Sequence, residues 1–357
     1  MISADALSEL AGDVGALREQ LDAVSGTEAI LAVDPAVPAS IRALGAAAPA
    51  DAVAWLDEFL ALPNDRFALQ YGDADLAAQI GAGASSPVQL ASFAAYLDAA
   101  DFGDTGTAEP GAAGTTPAPT PAPDEPVLPT LEELFDIGAS RDAVFWPATG
   151  TAGAETAAVL AAQVDTDDTP VTLLPSSVVQ TDAAAHATSG DADLLVYDAE
   201  LSDVLEDAST TGNVVERGAL LAEFTARTAL TDPADPLLVT VDRATGRSTA
   251  ALSDAIRAAT GLPGRTTTDL DGLLDAEPTA VELASIAPDA DRVAVIEEFR
   301  QAQGALSRIA TVLEDPELLS SSVRATELQL LGNAWLDDRE GWDAAVDAQR
   351  ERIATWI

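Results

Sequence analysis

The chain predicts an α/β fold, a parallel (β/α) barrel-like sheet of about six to eight strands with a C-terminal helical extension, and three observations predict it. Short apolar runs bounded by turn residues alternate with Ala-rich amphipathic stretches. The runs are apolar along their whole length, as strands covered on both faces are. Beyond Asp291 the strand-like runs stop and only helical spacing continues.

Taken in order, the first strand is EAILAVD (Glu28–Asp34) and the second RFALQYGD (Arg66–Asp73), with amphipathic helices such as DAVAWLDEFLAL between them. AVFWPA (Ala143–Ala148), PVTLLP (Pro170–Pro175), DLLVYDAE (Asp193–Glu200) and PLLVTVDR (Pro236–Arg243) continue the series, and RTTTD (Arg265–Asp269) offers a seventh. AETAAVLAAQV and GALLAEFTARTAL read as helices between strands. TDAAAHATSG reads as the end of a helical stretch before a polar turn, which puts His186 at an exposed helix end. DRVAVIEEFRQAQGALSRIATVL then carries apolar residues at helical spacing, and Trp335, Trp342 and Trp356 follow as packing anchors, at least two of them expected to be buried.

One tract breaks the pattern. Residues 104–129, DTGTAEPGAAGTTPAPTPAPDEPVLP, are Pro-, Thr- and Ala-rich and read as disordered. Two parallel strands make a poor independent domain, so the tract is expected as an insertion in a single domain spanning 1–357, with 291–357 packed on the barrel.

Charge and rare residues narrow the function. Seventeen basic residues, all Arg, oppose 60 acidic ones for a net charge of −43, a field that repels nucleic acid and anionic lipid. Cysteine is absent, which removes disulfides, Cys-ligated zinc and thiol catalysis. A single histidine, His186, leaves no two-His metal site. No G-x-S-x-G elbow, G-x-G-x-x-G turn or phosphate loop occurs, so neither a cofactor nor a metal is expected. No apolar run reaches membrane-spanning length, and the N-terminus lacks the basic and apolar regions of a signal peptide.

In parallel α/β folds ligands bind at the carboxyl ends of the strands. Those ends supply Asp34, then Tyr71, Asp73 and Asp75 of YGDAD, then Trp146, then Tyr197, Asp198 and Glu200 of VYDAE, then Asp242 and Arg243. Carboxylates flanked by aromatic rings suit a carbohydrate site, where two carboxyls can divide acid and base roles. An Asp at a strand end is equally a helix cap or turn residue. The candidates are Asp34, Tyr71, Asp73, Asp75, Trp146, Asp198, Glu200, Asp242 and Arg243.

The stretches DAVAWLDEFLALPNDRFALQYGDADLAAQ, AVFWPATGTAGAETAAVLAAQ and VLEDPELLSSSVRATELQLLGNAWLDDREGWDAAVDAQR resemble landmarks of an actinobacterial envelope family, domain-of-unknown-function family 6049, over nearly the whole chain. The resemblance implies a secreted, membrane-anchored protein whose α/β barrel-like ectodomain is the part seen here. AVDP, WLD, YGDAD and WPA also loosely resemble deacetylase and family 57 glycoside hydrolase barrels, whose rim would correspond to Asp34, Tyr71, Asp73, Asp75 and Trp146. The chain departs from those enzymes in having no His at a strand end and no Glu after the fourth strand. The implied role is an extracellular, envelope-face module binding a glycan, peptidoglycan or envelope protein at the rim, with no nucleic-acid or direct membrane contact. The alternatives are a glycoside-hydrolase-like enzyme using two rim carboxylates, or the cytoplasmic protein of a halophile.

Overall fold

A computed structural model describes residues 1–103, 126–163, 168–181, 183–243, 246–310 and 316–356. Helices α1 (Ala4–Ala11) and α2 (Ala16–Val24) precede β1 (Leu31–Val33), and α3 (Ala36–Ala43) and α4 (Ala50–Ala61) lead to β2 (Arg66–Ala68) and then α5 (Leu76–Gly81). Most of the expected disordered tract, residues 104–125, lies outside the described residues. A short α6 (Leu131–Phe135) precedes β3 (Val144–Phe145), and α7 (Ala154–Ala161) precedes β4 (Val171–Pro175). β5 (His186–Ser189) and β6 (Ala192–Tyr197) follow, then α8 (Ala199–Thr210), α9 (Val214–Thr228), α10 (Thr249–Thr260), α11 (Leu270–Leu274) and β7 (Thr279–Ala280). The chain ends in α12 (Ala290–Ala310), α13 (Pro316–Leu330) and α14 (Arg339–Trp356).

Several helices start where a short polar side chain can accept from the first turn's free N–H groups. Asp75, Asp198, Asn213, Ser248 and Asp269 do this at α5, α8, α9, α10 and α11.

The strands form a parallel pair, β1–β2, and a five-stranded mixed sheet in the order β3-β4-β6-β5-β7. Both faces of the larger sheet are covered, as the continuous apolar runs require. Val171, Leu173 and Leu195 pack with Phe67 and Leu270 on one side, and Leu174, Leu194 and Val196 pack with Ala157 and Leu283 on the other. The two sheets share the cluster of Phe67, Val144, Val171, Leu173 and Leu195, and ahead of β3 the Ser140 N–H donates to the Arg66 carbonyl at 2.8 Å.

The structure corrects four expectations. The sheet is mixed, because β5 runs antiparallel to β6. His186 therefore opens a strand and is 6% exposed, with Nε2 2.7 Å from the Asp193 carboxylate and Nδ1 2.6 Å from the Ala276 carbonyl. An Ala-rich segment of good helix propensity is held as strand by pairing to β6 and β7, with Gly190 (φ 61°) in the tight turn. The run 236–243 keeps a single parallel bridge, Tyr197 to Leu238, and 265–269 forms no strand. Among the described residues the strands do not close into one ring.

Past Asp291 the chain is helical as read. Val295, Phe299, Val323, Trp342 and Val346 form a core of their own, while Ile296, Ala325, Leu328 and Leu331 join the cluster of Ala36, Ala39, Tyr71 and Leu134. Against the expectation that at least two of the three tryptophans are buried, Trp342 alone is: Trp335 is half-buried and Trp356 at the chain's helical end is exposed.

Candidate functional site

Two parallel segments that begin far apart deliver their carboxyl ends to one place. After β1 the chain reaches Asp34, whose Oδ1 accepts from the N–H groups of Ala36 at 2.8 Å and Gly72 at 2.9 Å. The first contact starts α3 and the second ties down the turn after β2. In that turn Gly72 (φ 71°) and Asp73 (φ 47°) both take left-handed backbone, which Gly adopts freely and Asp tolerates better than most residues. The twist separates three side chains that an extended YGDAD would have shared out along a strand.

Only Asp73 points to the rim. Its carboxylate accepts from Arg243 Nε at 2.5 Å and Nη2 at 3.0 Å, and from Asn333 Nδ2 at 3.2 Å. The same guanidinium donates from Nη1 to Asp242 Oδ1 at 2.9 Å and from Nη2 to the Trp146 carbonyl at 2.6 Å. It lies 4.7 Å from the centre of the Trp146 ring. Thr149 Oγ1 donates to Asp242 Oδ2 at 2.6 Å, so the Tyr197 hydroxyl 2.7 Å away must donate to Thr149, which has only one proton. Arg247 braces the arrangement from behind through Glu206 at 2.6 Å and the Asp242 carbonyl.

Burial shapes the electrostatics. Asp34 keeps some surface in the cavity while surrounding protein excludes bulk water. That desolvation pushes its carboxyl up to about 7, against the two N–H donors and with help from the charge of Asp73. Burial also raises Asp73, opposed by Arg243 and Asn333. Desolvation works to lower Arg243, yet Asp73 and Asp242 hold it above its ordinary value.

Below the rim lies a cavity of about 870 Å³. Leu31, Val33, Leu69, Leu173, Leu195 and Leu238 contribute apolar wall, and Asp34, Asp73, Asp242 and Arg243 stand at its polar end. This is the combination of apolar enclosure and few convergent polar groups found in ligand sites. Among the described residues no group of three or more His, Asp or Glu is placed to hold a metal ion.

Of the nine candidates, Asp34, Asp73, Trp146, Asp242 and Arg243 come together. The other four do not, each for a local reason. Tyr71 is 4% exposed and packs its ring on Phe93 and Phe135, in the core beside α13. Asp75 is 2% exposed, caps α5 and faces Arg292 at 3.4 Å. Asp198 caps α8 by accepting from Leu201 at 2.9 Å. Glu200, in the first turn of α8, is exposed and meets Arg227 at 3.3 Å. Arg243 covers one face of Trp146, and Tyr197 meets the ring in a T-shaped contact at 6.4 Å, so the ring is not presented as an open platform on both sides.

Sequence reading missed Thr149 and Asn333, and noted Tyr197 without choosing it. Thr149 stands just past a strand end, in WPATG, so the rule that found Trp146 could have found it. Asn333 arrives from the helical extension, and no local pattern marks it.

A family model described as "Family of unknown function (DUF6049)" matches residues 6–356. No curated protein and no solved structure matches the chain.

Proposed function

We propose, for a chain that belongs to the DUF6049 family, the role of a binding module of the cell envelope whose ligand enters the cavity beneath the Asp73–Arg243–Asp242 clasp. In this reading the strand walls act as a barrel-like cup open along one side, the helical extension belongs to the same folding unit, and the module works outside the cell on a glycan or an envelope protein. One observation carries it: an apolar cavity of about 870 Å³ ends at five charged or aromatic side chains contributed by the ends of β1, β2 and β3 and by the 236–243 run. Binding fits this arrangement better than bond breaking, because Arg243 occupies Asp73 and Asp242 and so ties up two of the three rim carboxylates. The charge of −43 supports a partner that is neutral or basic.

The test is a pull-down with purified peptidoglycan, a glycan array and muropeptides, comparing the chain with Val33→Trp, which fills the cavity from its wall. The variant should keep its circular dichroism and lose binding by about tenfold or more. Equal binding by both proteins places the ligand elsewhere.

The second reading is a glycoside-hydrolase-like enzyme. Two neighbouring carboxyls in unlike surroundings favour it: Asp34, pushed up to about 7 with no cationic partner among the described residues, and Asp73, forked by Arg243. Release of reducing sugar from envelope polysaccharide that disappears in Asp34→Asn would establish it, and release unchanged by that substitution would remove it.

A further inference from the structure

The cavity is bordered by the edge of β1 and by the extended 236–243 run, each with outward backbone groups that have no hydrogen-bond partner among the described residues. β1 uses Leu31 and Val33 against β2: the Leu31 N–H donates to the Asp65 carbonyl, and the Leu69 N–H donates to Val33, both at 2.8 Å. Successive residues of a strand aim their backbone groups to opposite edges. The N–H and C=O groups of Ile30 and Ala32 therefore face away from β2, and among the described residues they have no partner. The run 236–243 mirrors this. Leu238 accepts from the Asp198 N–H at 2.9 Å on the β6 side, which turns the backbone groups of Leu237 and Val239 the other way, again with no partner.

Both free edges line the same cavity, and they line it with every residue. Glu28 to Asp34 and Pro233 to Arg243 border it without a gap. A strand showing a cavity only one of its faces would contribute alternate residues. Contiguous lining is what an edge-on strand gives. All three residues of β1 are also only half-buried, although the strand is wholly apolar. A space between two unsatisfied strand edges matches an extended chain, whose own N–H and C=O groups would serve both sides.

We propose that the ligand of this cavity is an extended peptide that adds as a strand between β1 and the 236–243 run, apolar along its length and carrying an Arg or Lys beside Asp34. The proposal rests on the binding-module reading above and gives it a ligand class. Charge selects the basic residue. Four carboxylates, Asp34, Asp73, Asp242 and Glu206, gather at this end against two guanidiniums, Arg243 and Arg247. Both guanidiniums are already engaged, and Asp34 has no cationic partner among the described residues. Size agrees: the three residues of β1 at about 3.3 Å each give an edge roughly 10 Å long, enough to pair with three or four residues of a ligand strand. Strand addition also suits a wall that is mostly aliphatic and a Trp146 ring with Arg243 over one face. Such a ligand is read by its backbone and small pockets, with no need of an open aromatic face.

The experiment pans a random heptapeptide library against the intact chain. It then compares synthetic copies of the selected peptides with copies N-methylated at alternate amides, following binding by calorimetry and the edge amides by hydrogen exchange. The expected result is peptides with one terminal Arg or Lys, binding weakened about tenfold or more by methylation, and slowed exchange at Ile30, Ala32, Leu237 and Val239. Peptides that bind equally well after methylation, yet compete with a muropeptide or are lost in Val33→Trp, overturn strand addition and leave the cavity as a binding site. No peptide bound while a glycan binds overturns it in the same way. Slow exchange at those four amides before any peptide is added shows the edges filled by the chain itself, with the neighbouring 265–269 run the first suspect, and overturns the proposal too. No ligand of any class bound at the cavity defeats both readings together.

Discussion

Asp73 and Asp75 stand two residues apart in one motif, and each reaches an arginine far along the chain, yet the two pairs do different things. Asp75 and Arg292 have side chains 2% and 3% exposed, and Arg292 also donates to the carbonyls of Leu331 at 2.9 Å and Gly332 at 3.1 Å. That pair pins α5 to the helical extension, in a place where neither charge can be rehydrated. Asp73 and Arg243 keep 18% and 16% of their side-chain surface and sit at the mouth of a cavity, where Arg243 is shared with Asp242. Water, or a ligand, can replace part of what each loses if the pair opens. Identical chemistry thus serves as a rivet in one place and a latch in the other, and exposure decides which.

The sharpest way to break the comparison is Arg292→Ala. An uncompensated Asp75 should cost about 3–5 kcal/mol in urea unfolding, and a loss below about 1 kcal/mol would mean that the buried pair is no rivet. Arg243→Ala should cost less, about 1–3 kcal/mol, because Asp73 and Asp242 can take up water. It should also change Trp146 emission by uncovering the ring. A cost equal to that of Arg292→Ala would erase the distinction between the sites.

The smallest effect concerns pH. Asp34 and Glu327 are each pushed up to about 7, chiefly by burial. Between the unfolded carboxyl range near pH 4 and that value, the folded chain holds protons that the unfolded chain has released. Stability should therefore fall as pH rises from about 4 to about 7 and level off above. Asp34→Asn should remove part of that slope, stabilising the chain at pH 8 by about 1–2 kcal/mol, and Asp34→Asn with Glu327→Gln should remove more. An unchanged slope in chemical denaturation from pH 4 to 8 would show that Asp34 stays hydrated.

What the sequence made legible follows the range of the forces involved. β1, β2, β3 and β4 lie inside the predicted runs, and β6 overlaps its run from one residue earlier, because apolar runs between turn residues are local signals. The hairpin strand at His186 was hidden, since Ala187 and Thr188 become strand only through partners at 192–195 and 279–280. At the candidate site, the strand-end rule picked Asp34, Asp73, Trp146, Asp242 and Arg243, which the fold brings together. It failed within YGDAD because two left-handed residues turn the chain between Tyr71 and Asp75. It failed at Asp198 and Glu200 because α8 begins at once, which makes the first a cap and sends the second to solvent. Nothing local could have announced Arg243 as the partner of Asp73, 170 positions earlier.

The left-handed backbone of Asp73 narrows the alphabet at that position. Asn or Gly could follow the same path, keeping the turn while giving up the charge, whereas Val, Ile or Thr would clash with their own backbone there. A library randomised at residue 73 should then sort into three outcomes. One residue gives turn and charge, two give the turn alone, and the rest force the segment onto another course. A homologue carrying a β-branched residue at this position would be announcing a differently shaped mouth, whatever the remainder of its sequence shares with this one.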